Sequence, residues 1–386
     1  MRSPTKPRIA YGINGYGRGH ATRARGVLPA LSERYEILIL AGDEAYEALR
    51  DDYRCIRIPV LRYVSRPDGR RSVRRTLVRN TPGMLDLLWG GPTTDFVRGV
   101  LEGFRPSAIV SDSEPWTHRA GRELGLPRVS FDHYGILVHC RIPMPRRDRL
   151  LLRLESIMYR WMVPSPDREI VAAFFDGEPR HDDVTVVGPI LRPEVHEFPA
   201  TSGDHLLVYF QPRTVKVLET VLDALRRLPL PVHVYGPSRT GRDGNLHFRP
   251  IGNRRFLADL ASSRAVVSSA GNQLISESIH YGKPLFLLPE EALEQRLNAQ
   301  IVSRWGIGEW STPDRVDPEA LMRFLIRTNL YASRIPERRR NGVPEAVRAL
   351  LETIEDLRTR PDRPPTRLLP RSSVNAGSRR ESFHAS

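Results

Sequence analysis

SSAGNQLISESIHYGKPLFLLPEEALEQRLN, residues 268–298, decides the fold. The apolar run ahead of it, residues 264–268 (RAVVS), reads as a buried strand, and Ser269-Ala270-Gly271 as a turn of small residues. The spacing then predicts a helix from about Asn272 to Tyr281, capped by Gly282 and stopped by Lys283-Pro284. Residues 285–288 form a second strand, so the stretch is a βαβ unit. No side chain in the turn blocks an approaching anion. The helix start offers unpaired N–H groups at the positive end of its dipole, which suits a diphosphate. Glu277 stands about one and a half turns into the helix, within reach of the ribose of a nucleotide lying across the helix start. Gln295 and Asn298 follow the second strand, where carboxyl ends of parallel strands gather ligands.

The rest of the chain bounds what such a unit can belong to. Its 386 residues suffice for two domains, and 40% apolar content is compatible with real cores. No apolar run reaches membrane-spanning length, and the leader MRSPTKPRIAYG lacks the apolar core of a signal peptide, so a cytoplasmic location is the expectation. Cys55 and Cys140 offer no disulfide framework, and the histidines show no metal-ligand spacing. The net charge of +14 favours anionic partners: nucleic acid, anionic lipid surfaces or phosphorylated substrates. With no nucleic-acid-binding motif and no basic-aromatic repeat, nucleic acid is not expected.

A second glycine-rich loop opens the chain. Residues 8–13 (RIAYGI) read as a strand running into Asn14-Gly15-Tyr16-Gly17-Arg18-Gly19-His20, with a helix over about 21–32. The glycines at 15, 17 and 19 let the backbone bring N–H groups near a ligand. A dinucleotide site is the rival reading, but that fingerprint requires a third glycine where His20 intervenes. Arg23 is a candidate for phosphate or acceptor contact, or a surface arginine. Residues 65–81 (SRPDGRRSVRRTLVRNT) read as a basic, turn-rich loop, followed by a helix over 82–102 broken at Gly90-Gly91-Pro92. Strands at 107–110 and 128–131 end at Asp112, Glu114, Asp132 and His133, facing the same crevice. Residues 148–162 form an amphipathic helix whose apolar face is core or a membrane contact.

Residues 188–203 are irregular and read as a linker (189–203) between a domain over 8–188 and another over 204–345. Residues 346–359 form a terminal helix. Residues 360–386, rich in Pro, Arg and Ser, are expected to be a disordered basic tail.

The stretch 266–308, with Glu277, Gly282-Lys283-Pro284, Glu294-Gln295 and Asn298-Ala299, resembles the nucleotide-sugar half of GT-B glycosyltransferases. It is most similar to the family 28 and family 1 (MurG-like) enzymes and their uncharacterised bacterial and archaeal relatives. Gly-x-Gly-His at 17–20 resembles their first loop, and VVGPILR at 186–192 their exit from the N-terminal domain. The resemblance implies an α/β fold of two Rossmann-like domains facing across a cleft, with the last helix returning to the first. It implies a glycosyltransferase of hexosyltransferase type with a nucleotide-sugar donor, a UDP-sugar being the expectation, and an acceptor hydroxyl of unidentified source.

In its terms His20 is the first candidate base, with Asp112 and His133 in reserve. Gly17, Gly19, Arg213, Phe256, Ala270, Gly271, Asn272, Glu277, Glu294, Gln295 and Asn298 are donor-site candidates. No metal is expected, because helix N–H groups at Gly271-Asn272 can stabilise the leaving diphosphate and the Asp182-Asp183 pair lies in a loop. Retaining members of the fold share a Glu eight residues before the ribose Glu; here Ser269 stands there, which favours inversion. The Gly-Gly-Ser signature of the peptidoglycan enzyme is Ser269-Ala270-Gly271-Asn272, so its lipid-linked acceptor is not implied. A cell-envelope lipid or glycan, or a small metabolite, stays open, with peripheral contact to anionic membrane. The competing readings are a UDP-amino-sugar epimerase of the same fold and a non-catalytic nucleotide-sugar binder.

Overall fold

The computed structural model describes residues 6–359 apart from 17, 63, 65–71, 211–214, 238, 251, 291 and 338–340. The expected tail, 360–386, lies outside the described residues.

The first half is a seven-stranded parallel sheet. Its strands are β1 (Arg8–Ile13), β2 (Glu36–Ala41), β3 (Cys55–Arg57), β4 (Ala108–Asp112), β5 (Arg128–Asp132), β6 (Arg168–Ala172) and β7 (Val184–Val187). Their order is β3-β2-β1-β4-β5-β6-β7. Every residue of β4 and β5 is buried, as expected of strands covered on both faces. The covering helices are α1 (Arg18–Arg34), α2 (Asp43–Leu49), α3 (Val73–Trp89), α4 (Pro92–Phe104), α5 (Pro115–Glu123), α6 (Gly135–His139) and α7 (Arg149–Met162).

The second half repeats the plan. Its strands are β8 (Leu206–Tyr209), β9 (Val232–Tyr235), β10 (Gly241–Asp243), β11 (Leu246–Arg249), β12 (Ala265–Ser268), β13 (Leu285–Leu287) and β14 (Gly308–Trp310). They lie in the order β10-β11-β9-β8-β12-β13-β14, with only β10 antiparallel to its neighbour. Helices α8 (Val215–Arg226), α9 (Asn253–Ser262), α10 (Asn272–His280), α11 (Leu293–Arg304), α12 (Pro318–Ile326) and α13 (Thr328–Ala332) follow, and α14 (Val343–Thr359) ends the described chain.

Two sequence expectations need correction. The basic loop expected over 65–81 is helical from Val73 onward, and residues 65–71 lie outside the described ones. The turn-forming residues Pro67 and Gly69 precede the helix, while Ser72 caps it by accepting from the Arg75 amide at 3.3 Å. Strands β6, β10 and β14 and the short helix α6 were not anticipated. β6 opens on Arg168 and Glu169, which masks a five-residue strand buried in the sheet.

Ala346, Leu350, Ile354 and Leu357 of α14 lie in one core with Ile9, Tyr11, Val27 and Leu31 of the first half. The Gly188 amide donates to Glu345 Oε2 at 2.8 Å and the Gly342 amide to the Pro189 carbonyl at 2.8 Å, so the outgoing and returning chains are joined. Another core unites the halves: Phe174 meets Trp305 edge-on at 5.8 Å, beside Ile136, Phe256 and Leu274.

Candidate active site

In each sheet the strand order reverses beside the first strand, between β1 and β4 and between β8 and β12. Crevices form at such points, at the carboxyl ends of the strands. The loops leaving β1 and β4 are joined by the Asn14 amide donating to the Asp112 carbonyl at 3.1 Å and by Asn14 Nδ2 donating to the Ser113 carbonyl at 3.0 Å. That pairing sets the start of α1 against Asp112. His20 Nδ1 lies 2.8 Å from Asp112 Oδ1. Arg23, one turn on, donates from Nε to Oδ2 at 2.9 Å and from Nη2 to Oδ1 at 2.6 Å.

Asp112 has no exposed surface, and Arg23 is 6% exposed. Burial alone would raise the Asp112 carboxyl; the Arg23 guanidinium and His20 outweigh it and hold it below the usual range. Arg23 Nη2 also lies 3.1 Å from His20 Nδ1; the nearer neighbour, the Asp112 carboxylate at 2.8 Å, can only accept and favours the tautomer with the proton on Nδ1 and the lone pair on Nε2. Asp112 is thus enclosed and acts on His20, and Arg23 is neither a surface residue nor placed for acceptor contact. The glycines differ in use. A Cβ on Gly15 would fall 1.9 Å from the Gly42 carbonyl oxygen, so Gly15 is required by chain packing; Gly19 faces open space. Gly17 lies outside the described residues.

His133 follows β5. Its Nδ1 lies 2.8 Å from the Ala172 carbonyl, which can only accept, so Nδ1 carries the proton. Its Nε2 is buried without a hydrogen-bond partner and sits 3.4 Å from Glu294 Oε1 of α11. Burial, only partly offset by Glu294, pushes the imidazole down from its ordinary value. The unprotonated Nε2 of His133 therefore faces a carboxyl oxygen of Glu294 across the halves. Beneath them Asp132 accepts from Ser113 Oγ at 2.7 Å, from the Gly135 amide at 2.8 Å and from Tyr159. Glu114 caps α5 through the Trp116 and Thr117 amides, and burial pushes its carboxyl up to about 7.

The turn after β12 bends through Ala270 in the left-handed region, at φ 63°. It delivers Gly271 as the N-cap of α10, with no side chain capping the helix and open space at the Gly271 Cβ position. Asn298 Nδ2 donates to the Ala270 carbonyl at 3.1 Å and so braces the turn from α11. Ser268 Oγ, Asn272 Oδ1 and Asn298 Oδ1 are buried without partners beside it. Gln295 Oε1 accepts from the Glu290 amide at 2.8 Å, closing the loop after β13.

Glu277 is 1% exposed. Arg192 of the linker donates from Nε to Oε1 at 2.9 Å and from Nη2 to Oε2 at 3.0 Å, and Gln273 Nε2 reaches Oε1 at 3.0 Å. The same guanidinium lies 5.9 Å from the ring centre of Phe256 at the start of α9. Phe256 in turn meets Tyr209 and Tyr235 edge-on, at 5.7 and 5.1 Å. Sequence reasoning missed Arg192 as a site residue; its only signal was its place at the end of VVGPILR. Arg213 lies outside the described residues.

The histidines are less scattered than their spacing implies. His205, His233 and Asp259 bring ligand atoms within 4.8 Å of one another. Arg249, however, already pairs with the Asp259 carboxylate and lies 2.9 Å from His233 Nε2, so a cation holds that position.

The sequence profile of glycosyl transferase family 1 matches residues 7–329. No protein of curated function matches the chain in sequence. Among solved structures, the glycotransferase of kitacinnamycin is 17% identical, with a TM-score of 0.66 over 91% of this chain and 100% of that one. MurG of Acinetobacter baumannii is 15% identical, with a TM-score of 0.58 over 91% and 100%. The glycosyltransferase VinC, solved in complex with dTDP, is 15% identical, with a TM-score of 0.60 over 90% and 100%. At these identities the structures share the GT-B fold.

Proposed function

The chain belongs to glycosyl transferase family 1, and on that premise we propose an inverting, metal-independent transfer of a hexose from a nucleoside diphosphate sugar, a UDP-sugar, to an acceptor hydroxyl. The observation that carries this reading is the hydrogen bond between His20 and fully buried, ionised Asp112. It leaves Nε2 of a partly exposed imidazole able to take a proton.

In the single displacement, the acceptor oxygen attacks the anomeric carbon as its proton passes to His20 Nε2. The bond from that carbon to the phosphate oxygen breaks, and the electron pair leaves with the diphosphate. The uncapped amides at Gly271-Asn272 and the α10 dipole offset the developing charge. Glu277, enclosed and bound on both oxygens, holds Arg192 in place as a cation on the nucleotide side. Phe256, buried against Tyr209 and Tyr235, anchors the start of α9 on the base side. The paired acceptors His133 Nε2 and Glu294 Oε1 suit a sugar hydroxyl, which donates one proton and has room to share it. Gln295 and Asn298 brace the loops around it.

Calorimetric titration with UDP, GDP, dTDP and ADP in the presence of a chelator tests the donor half. One diphosphate is expected to bind, and Glu277→Ala to lose it. Binding of none, or binding only after metal addition, would overturn this reading.

A further inference from the structure

We propose that the solvent faces of α3 and α7 form one surface that lies on an anionic lipid bilayer and presents the active cleft to an acceptor held there. The inference deepens the transfer reading above by naming the acceptor's setting, and it rests on that reading for the chemistry alone.

The apolar exposure on these helices is organised. On α7, Leu150, Leu154, Ile157 and Met158 follow a helical stripe, and they are 67%, 56%, 66% and 43% exposed. On α3, Val78 is 69% and Trp89 74% exposed, and Leu77, Leu85 and Leu88 are exposed with them. A large apolar area left in water at one place marks an interaction site. The charges beside it carry one sign. Arg74, Arg75 and Arg79 are exposed on α3; Arg147, Arg149 and Arg153 are exposed at the start of α7. The acidic residues of the two helices turn elsewhere: Asp86 accepts from Thr93, Thr94 and Trp116, and Glu155 from Tyr134.

Helix α5 is the common support. Trp116 backs α3, where a Cβ on Gly83 would lie 3.3 Å from its ring. Arg119 covers the Trp161 ring of α7 at 5.2 Å and donates to the Trp161 carbonyl at 2.8 Å. Leu87 of α3 and Trp161 of α7 join the same core cluster.

Aliphatic and tryptophan side chains flanked by arginines are what an interfacial helix presents to headgroups and upper acyl chains. No helix of the described residues is long and apolar enough to cross a membrane, which leaves these two to lie along its surface. The surface also adjoins the cleft. Asp148, immediately before α7, accepts from Arg296 of the second half at 2.9 Å, and Tyr134, next to His133, contacts Glu155 of α7. A protein partner would fit the apolar stripe, but the uniform arginine fringe favours an extended anionic surface.

The test is co-sedimentation of the full chain with vesicles of phosphatidylcholine alone or mixed with phosphatidylglycerol, with UDP binding measured on the same preparations. The chain is expected to sediment with the phosphatidylglycerol vesicles and to be released by salt. The double variant Leu154→Glu/Ile157→Glu is expected to lower partitioning by about tenfold or more, and Arg149→Glu/Arg153→Glu likewise, while UDP binding is unchanged. A chain that stays in the supernatant overturns the inference. So do variants that partition as the wild type does, or a dimer that both variants dissociate, because the face would then belong to a second copy. Loss of UDP binding alone would strike the donor reading and leave this one standing.

Discussion

Arg192 and Glu277, 85 residues apart, meet through two hydrogen bonds of 2.9 and 3.0 Å between the linker and α10. The fork geometry fixes the carboxylate, and burial leaves it with no alternative partner in water. Truncating one side of such a pair strands the other, so Arg192→Ala is expected to cost about 3–5 kcal/mol in denaturant unfolding. The double change Arg192→Met/Glu277→Gln should recover most of it. Equal stability of Arg192→Ala and wild type would show that the pair is solvated.

Turnover should separate from donor binding at His20. His20→Ala is expected to lower kcat by roughly a hundredfold or more and leave UDP affinity unchanged in calorimetry. Asp112→Asn should behave alike, because an amide in place of the carboxylate no longer selects the Nδ1–H tautomer. A normal kcat in either variant would remove the pair from proton transfer.

The sugar is expected to be read at α11. Glu294→Gln should weaken a UDP-sugar by about tenfold while sparing UDP itself, since the change leaves a hydroxyl with a poorer acceptor. Competition between the two ligands checks this directly. Equal losses for both would place Glu294 at the nucleotide instead.

Acid should loosen the fold from inside the first half. Burial, with Arg128 adding to it, pushes His118 down to about 3, and burial lowers His133 as well. The unfolded chain takes up these protons near pH 6.5, whereas the folded chain resists them until lower pH. Between those values the unfolded state binds more protons, so stability rises with pH by up to about 1.4 kcal/mol per unit per group. The contribution is full above about 6.5 and is lost as pH falls. His118→Gln keeps an acceptor for Arg128 and should flatten the slope of unfolding free energy between about pH 5 and 6.5. An unchanged slope would clear His118 of the effect.

Much of the architecture is legible because local chemistry agrees with it. RIAYGI reads as β1 over its full length, and the small turn, Gly282 and Pro284 bracket α10 closely. What fails locally is what long-range packing decides. Arg168 and Glu169 make β6 look like surface, and its burial comes from neighbours far along the chain. The arginines at 74, 75 and 79 read as loop, although straight-chain residues suit a helix once Ser72 caps it. The same limit governs the candidate site. His20 and Asp112 can each be nominated from the ends of strands, but their contact spans 92 residues and follows only from β1 and β4 being neighbours. Arg23 illustrates the reverse case: the sequence leaves it open between a ligand contact and the surface, and the buried Asp112 draws it inward.

Gly188 and Gly342 are where the chain leaves the first half and returns to it, and the two backbones touch. A Cβ on Gly342 would fall 2.1 Å from the Gly188 carbonyl carbon. A side chain at Gly342 would push the outgoing and returning passages apart, so close backbone contact makes the two of them one joint. Arg192 is four residues beyond that joint, so the guanidinium paired with Glu277 is set by where the two passages meet. Deleting α14 would remove one of the two passages, and with it the apolar face that Ala346, Leu350, Ile354 and Leu357 press onto the first half.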